Sequence, residues 1–352
     1  MVIGDAEVVV ILGNSNSRFS GVTSTMLQTM SVQKELIPLK VLGKYHMPDA
    51  SLSMSFFQAV RLLRTPLRGG RPRVFHARRN DEMIQALLLK YLFGCPLKII
   101  FTSTAQRHHS RFSRWLMAKM DVIVSTCNAA AFYLRVKPQA IVPHGIDPDV
   151  YQPRHNKREI LNSIGVSTPK CIGIFGRVRA QKGVDLFVEA CLQVLPALPD
   201  YSAVIVGAGE VREREWVSAL ESKVQAAGLS DRVLFLGEQE FEQVPIIMSA
   251  MTLIAALSRN EGFGLTVLES MSCGVPVIAT EAGAWPEIVR EGVDGHVIPV
   301  GDLLALEDCL NRLLPDEAKL TQMGTQARNR VLERYTVERE ATRLVQIYRS
   351  VQ

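Results

Sequence analysis

Two carboxylates flank a glycine-broken turn in SRNEGFGLTVLES, residues 258–270: Glu261 and Glu269, with seven residues between them. Gly262 and Gly264 permit positive φ and a close approach of backbone to ligand. A helix starting near Leu265 would aim its free N–H groups at an anion such as a pyrophosphate. Within one unbroken helix the two side chains would stand roughly 80° apart; with Glu261 on the loop and Glu269 in the helix, they can address two ends of one ligand. Taken alone, the spacing fits equally a surface glutamate followed by a first-turn glutamate favoured by the helix dipole. A second segment, GRVRAQKG (176–183), tips the balance by setting Arg177 and Lys182 beside two glycines. A guanidinium grips a phosphate bidentately and an ammonium acts as a point charge, so the two segments together describe a diphosphate pocket bounded by acidic side chains.

Such a pocket needs a scaffold that brings loops together. In the second half, KCIGIFGRV (170–178), YSAVIVGAGE (201–210), DRVLFLGEQ (231–239), MTLIAALS (251–258), VPVIAT (275–280) and GHVIPV (295–300) read as strands, most with a helix between them. The first half repeats the theme more faintly, with AEVVVILG (6–13), RVFHA (73–77), KIIFTS (98–103) and DVIVST (121–126) alternating with helical stretches such as DEMIQALLLKYLF and SRFSRWLMAKM. Continuous apolar strands separated by amphipathic helices imply parallel sheets covered on both faces. The stretch PQAIVPHGIDPDVYQPRHN, with four prolines, marks a boundary. The expected class is therefore α/β, with two Rossmann-like doubly wound domains, 1–150 and 151–330, facing across a cleft, and ligands at the carboxyl ends of the strands. From 317 onward the pattern is helical with breaks near Gly324 and Thr336, and 331–352 is expected to pack back on the first domain.

Composition narrows the class further. A chain of 352 residues with 47% apolar content suits two cores, and its six scattered cysteines lack any CxxC pairing, as in a cytoplasmic protein with reduced thiols. Asp5 and Glu7 precede the first apolar run, which fits a strand better than a signal peptide, and no apolar run reaches the roughly 18–20 residues of a spanning helix. Residues 1–150 carry 19 Lys and Arg against 9 Asp and Glu, a net +10, while the remainder carries about –5. A basic half suits an anionic surface as well as it suits plain solubility. The cluster Arg61, Arg64, Arg68, Arg71 and Arg73 in RLLRTPLRGGRPR is the expected contact loop. Nucleic acid is not an expected partner, since no recognisable binding module accompanies the charge.

The series GRVRAQKG, VIVGAGE, VLFLGE, EGFGLTVLESMSCGVPVIAT and GAWPEIVREGVDGHVIPVGD, in that order, resembles the C-terminal domain of the retaining family 4 glycosyltransferases, which have the GT-B fold. The resemblance is strong over 170–302 and weaker over the first half. It implies that Glu269 holds the ribose of a nucleotide sugar and Glu261 the donated sugar. It implies further that Arg177 and Lys182 hold the diphosphate, with Gly176 and Gly207 at the strand ends and with backbone N–H groups around Gly262, Phe263, Gly264, Leu265 and Thr266. The family's glycine-rich acceptor-side loop corresponds to FSGVTST, where Gly21 remains and Ser20 replaces the second glycine. Where many members place a histidine near the sugar, IIFTSTAQRHHS has Thr102 or Ser103, with His109 or His108 six or seven residues later. His76, ahead of Arg78 and Arg79, is a further alternative, and His144 resembles a hinge-packing residue.

The resemblance implies a front-face transfer in which the leaving phosphate oxygen takes the acceptor proton, with Arg177, Lys182, Glu261 and His109 as the catalytic set and no metal or other cofactor. The first-half stretch from FHARRN to IVSTC is similar to bacterial lipopolysaccharide-core mannosyltransferases that use GDP-mannose. The implied partners are thus a nucleotide-sugar donor and an anionic lipid-linked glycan, met on the cytoplasmic face of the inner membrane by peripheral contact. Alternatives are a UDP-sugar transferase for capsule or O-antigen, a sugar-nucleotide epimerase, and a nucleotide-sugar-binding protein without catalysis. A nicotinamide dehydrogenase fits poorly, because ILGNSNSRFSG lacks the G-x-G-x-x-G spacing.

Overall fold

The computed structural model describes residues 8–352. The chain forms two units, Met1–Gly145 with Thr336–Gln352, and Ile146–Tyr335. The divisions fall at 145/146 and 335/336 rather than at 150 and 330.

The first unit is built on seven strands: β1 (Val10–Gly13), β2 (Leu39–Leu42), β3 (Ser53–Met54), β4 (Arg73–Ala77), β5 (Leu97–Ser103), β6 (Val122–Ser125) and β7 (Ala140–Ile141). They pair in parallel in the order β3-β2-β1-β4-β5-β6-β7. The first two residues of the expected strand 6–13, with Asp5 and Glu7, lie outside the described residues. Alternation along β1 sends Ile11 into one core with Phe75, Leu63, Met83 and Leu116, and Val10 and Leu12 into another with Met26, Met30, Leu344 and Tyr348. The second core explains where the end of the chain goes. The helix Val337–Ser350 lays Leu344 and Tyr348 beside the helix Gly21–Leu36, and Gln33 Nε2 donates to the Tyr348 hydroxyl at 3.1 Å.

The arginine-rich stretch is not one exposed loop. Arg61 lies on the helix Phe56–Leu63, and Arg64, Arg68 and Arg71 are exposed, but Arg73 begins β4 and is 2% exposed. Its guanidinium donates to the carbonyls of Val8, at 2.7 Å, and Thr65, so it is committed to the backbone of its own unit.

The second unit has six strands, β8 (Lys170–Phe175), β9 (Tyr201–Val206), β10 (Val233–Gly237), β11 (Leu253–Ala256), β12 (Val277–Thr280) and β13 (Gly295–Ile298), all parallel in the order β10-β9-β8-β11-β12-β13. β9, β11 and β12 are buried along their whole length, the burial expected of strands sandwiched between helix layers. The order reverses between β8 and β11, which is where a doubly wound sheet opens a crevice at its carboxyl edge. All six cysteines are buried. Among the described residues, no helix is long and apolar enough to cross a membrane.

The helix Glu317–Arg334 runs through Gly324 without the expected break; the expected break at Thr336 is present, where that residue caps the last helix. Gly324 is there for contact: a Cβ would lie 2.2 Å from the Gly274 carbonyl oxygen. Alanine would gain about 1 kcal/mol of helix propensity, whereas forcing atoms into a packed contact typically costs about 1–3 kcal/mol. Gly324→Ala is therefore expected to lower the melting temperature, and a rise would show that propensity outweighs the contact.

Candidate functional site

In the second unit, Arg177 follows β8 and Glu261 follows β11, the two neighbouring strands on either side of the reversal in strand order. The loop after β8 tightens into a short turn, Ala180–Lys182, ahead of the helix Val184–Val194. This turn is tied to the loop after β11. Arg259 donates to Asp185 through both Nη atoms at 2.9 and 2.8 Å, its backbone N–H donates to Gln181 O at 2.8 Å, and Gln181 Nε2 donates to Asn260 O at 2.8 Å. The result fixes Lys182 against Glu261, with Nζ 2.5 Å from Oε2, and Ser258 Oγ donates to the same oxygen at 3.2 Å. Two residues expected to hold different parts of a ligand are thus bonded to one another.

Glycine chemistry shapes the turn that follows. Gly264 takes φ +83, and a Cβ there would lie 2.3 Å from Trp285 Nε1, whose N–H donates to the Gly264 carbonyl at 2.9 Å. Trp285 is 2% exposed and acts as the floor of the turn. Phe263 is buried, the Gly262 N–H donates to Glu261 Oε1 at 3.3 Å, and the helix Leu265–Ser272 starts at Leu265 as expected, with Thr266 in its first turn. Gly207 answers to the scaffold: a Cβ would lie 1.9 Å from Gly176 O, so the ends of β8 and β9 close on each other there. Gly176 lies beside Lys182, since a Cβ there would come 4.0 Å from Lys182 Cε. Arg177 is more exposed, with Nη1 3.5 Å from Glu210 Oε1.

Glu269 lies in the second turn of the helix Leu265–Ser272, where it accepts a hydrogen bond from the Tyr151 hydroxyl at 3.2 Å. Burial raises its carboxyl to about 7, opposed by the Tyr151 hydrogen bond and by the charge of Lys182. Lys182 therefore acts on both carboxylates of the opening motif, bonded to Glu261 and within electrostatic reach of Glu269. Tyr151 is 3% exposed, and its carbonyl accepts from Ser272 Oγ at 2.6 Å and from Arg328 at 3.1 Å. Tyr151, Trp285, Ser258 and Arg259 all fall within stretches already singled out in sequence, but nothing there gave them a role of their own. An aromatic inside the proline-rich boundary and a lone Trp-Pro pair were the local signals for two of them.

The first unit places its expected residues differently. Gly21 opens the helix Gly21–Leu36 with ordinary helical φ, and a Cβ there would meet nothing within 4 Å, so the fold itself does not require glycine. Its neighbour Ser20, together with Thr23, accepts hydrogen bonds from Arg79 Nη2 at 2.7 and 2.8 Å. Arg79 stands in turn on Glu82, whose buried carboxylate accepts the N–H groups of Arg78 and Arg79 at 2.6 and 3.2 Å. Burial pushes the Glu82 carboxyl up to about 7.

His76 does not line an open site. It is fully buried in β4, with Nδ1 2.6 Å from the Tyr348 hydroxyl and Nε2 2.7 Å from Thr102 Oγ1, so Thr102 is committed as well. His108 is exposed and meets the Tyr133 ring edge-on. His109 is half-buried, with Nε2 3.5 Å from Ser103 Oγ; burial first, then Arg107 and Arg114, hold its imidazole below the usual range. His144 Nδ1 lies 2.9 Å from Glu340 Oε1, while Glu340 Oε2 accepts the Gly145 N–H at 2.8 Å, which anchors the last helix at the end of the first unit.

Residues 156–330 match the family model described as glycosyl transferases group 1. Over 350 residues the chain is 39% identical to the lipopolysaccharide core biosynthesis mannosyltransferase LpsB of Rhizobium meliloti (strain 1021), covering 98% of each chain. It is 38% identical to the lipopolysaccharide core biosynthesis mannosyltransferase LpcC of Rhizobium leguminosarum bv. viciae, covering 98% of this chain and 97% of the relative. Among solved structures, Anabaena Alr3699/HepE in complex with UDP superposes with a TM-score of 0.80 at 19% identity, covering 97% of this chain and 99% of the other. At that identity the likeness concerns the fold alone, a GT-B arrangement of two Rossmann-like units.

Proposed function

Since the chain belongs to the group 1 glycosyl transferases, we propose that this glycosyltransferase moves mannose from GDP-mannose onto an anionic, lipid-linked glycan of the lipopolysaccharide core. Near-complete coverage of two core mannosyltransferases at 38–39% identity supports the substrate class. The observation that carries the chemistry is Lys182, which joins the two loops at the strand reversal and acts on Glu261 and Glu269 together.

In this reading the bond between the sugar C1 and the diphosphate oxygen breaks while C1 bonds to the acceptor hydroxyl oxygen on the same face. The acceptor proton passes to the departing phosphate oxygen, which preserves the configuration at C1. Arg177, Lys182 and the N–H groups at the start of the helix Leu265–Ser272 receive the diphosphate charge. Glu261 receives hydroxyls of the sugar and Glu269 those of the ribose. No metal enters any step, and transfer is expected to persist in a chelator. His109, held neutral, is suited to hydrogen bonding with the sugar rather than to carrying charge. The working location is the cytoplasmic face of the inner membrane.

A thermal-shift screen of GDP-, UDP- and ADP-sugars tests the donor. A ligand at 100 times its Kd adds about 2.7 kcal/mol of apparent stability, so GDP-mannose is expected to raise the melting temperature by several degrees and the UDP and ADP compounds much less. A response confined to UDP-sugars would replace mannose by another donor class. A response to any donor without product from a core acceptor would leave only the binding function.

A further inference from the structure

The outward side of the first unit carries aromatic side chains that its own fold leaves uncovered. In the helix Arg111–Met117, Ser113, Leu116 and Met117 face inward and are buried, while Phe112 and Trp115 face out at 53% and 56% exposure and stack on each other with centroids 6.1 Å apart. Next to them Phe132 is 80% exposed and Val136 55%, and a cavity of ≈350 Å³ opens between Trp115, Tyr133 and Val136. The helix Asn80–Leu87 packs alongside, joined by Asn80 Nδ2 donating to Ser113 Oγ at 2.8 Å, and Leu88, Tyr91 and Leu92 in the turn that follows it are also exposed. Scattered single apolar residues on a surface are ordinary, but a contiguous apolar patch marks a partner.

Charge identifies the partner. Between residues 107 and 137 the sequence has Arg107, Arg111, Arg114, Lys119, Arg135 and Lys137 and one carboxylate, Asp121. Asp121 is taken by Lys90 at 2.7 Å and Lys98 at 3.7 Å. Arg111 and Arg114 line the same cavity as Trp115, and among the described residues neither forms an ion pair with a carboxylate. A second copy of this chain would bring the same cations face to face, because a two-fold interface is self-complementary. Aromatic rings suited to the bilayer interface, rimmed by guanidinium groups suited to phosphate, match a membrane surface.

We propose that Phe112, Trp115, Phe132 and Val136, with Arg111, Arg114 and Arg135, form the surface by which this protein docks on a bilayer of anionic phospholipid. The proposal rests on the lipid-linked acceptor in the proposed function and moves the contact away from the arginine-rich stretch at 61–73.

Vesicle flotation tests it, with phosphatidylcholine alone and with about 30 mol% phosphatidylglycerol, which supplies the negative surface potential that attracts basic segments. The full chain is expected to bind the anionic vesicles at least tenfold more tightly and to lose most of that binding in high salt. Phe112→Ser with Trp115→Ser, and separately Arg111→Gln with Arg114→Gln, are each expected to reduce binding at least fivefold with an unchanged melting temperature. Phe241→Ser, an exposed aromatic of the second unit, is expected to bind as wild type. Equal binding to both vesicles, or undiminished binding by both double variants, overturns the proposal. So does tighter binding to a single-stranded polynucleotide, or a dimer that only the Phe112 and Trp115 variant abolishes. The vesicles contain neither glycan nor donor, so failure here leaves the proposed function to be judged by transfer.

Discussion

Lys182→Ala is expected to lower kcat at saturating donor by about 10²–10³, equivalent to about 3–4 kcal/mol, the usual cost of removing one preorganised charge from the point where transition-state charge develops. Arg177→Ala is expected to cost at least tenfold. The smaller floor reflects its exposure and its contact with Glu210, which leave it less preorganised. Lys182 has a second role that must be separated from the first, because its removal leaves the half-buried carboxylate of Glu261 without its cation. A double-mutant cycle with Glu261→Ala separates the two. If Lys182 serves only to neutralise Glu261, the double variant recovers much of the loss. If it carries leaving-group charge, the double variant remains at least as slow as Lys182→Ala. Wild-type kcat in both Lys182→Ala and Arg177→Ala, with melting curves showing folded protein, would end the assignment of the diphosphate site.

The parts of this design that were legible in sequence are those written locally. β8, β9, β11 and β12 announce themselves because burial between two helix layers selects unbroken runs such as VIAT and YSAVIV. The helix start at Leu265 is equally local, since Gly264 must adopt positive φ under Trp285. In the first unit β3 and β7, two residues each, are too short to establish a period, and in β2 (LKVL) Lys40 interrupts the apolar run, so all three escaped notice. What escaped in the site was pairing across long separations. Tyr151 and Glu269 are 118 residues apart, Arg259 and Asp185 are 74 apart, and His76 and Tyr348 are 272 apart. No spacing rule reaches that far, and so a buried structural histidine looked in sequence like a residue of an open site. Gly324 misled for the opposite reason: a local rule signalled a helix break, while the cause of the glycine lay 50 residues away at Gly274.

Donor binding should have a pH dependence that originates at Glu269. Its carboxyl sits at about 7 because burial outweighs the Tyr151 hydrogen bond and the charge of Lys182. Ribose hydroxyls donate hydrogen bonds, and hydrogen bonds to an ionised acceptor are worth about 1.5–3 kcal/mol. With Glu269 at the ribose end of the site, as proposed, the donor selects the carboxylate, and its affinity is expected to rise between pH 6 and 8 and level off above. The free protein follows the opposite course. A folded-state value above the ordinary one means that the native state holds the extra proton, so the contribution of this group to stability is complete below its unfolded value, near 4.5, and is lost as pH rises through about 7. Glu82 titrates in the same window, so wild type must be compared with Glu269→Gln rather than read alone. Glu269→Gln is expected to flatten the pH profile of donor affinity and to raise KM for donor about tenfold at pH 8, with a much smaller change in kcat. Tyr151→Phe removes a hydrogen bond that favours the charged form, so the midpoint of the profile should move upward while the plateau at high pH is largely retained. Isothermal titration of the donor between pH 5.5 and 9 reads all three proteins, with the bracket set about one and a half pH units or more on either side of the Glu269 midpoint. A wild-type profile that is already flat, or a Glu269→Gln profile that keeps the wild-type slope, would remove Glu269 from the ribose end of the site and leave its bond to Tyr151 as a packing feature of the helix.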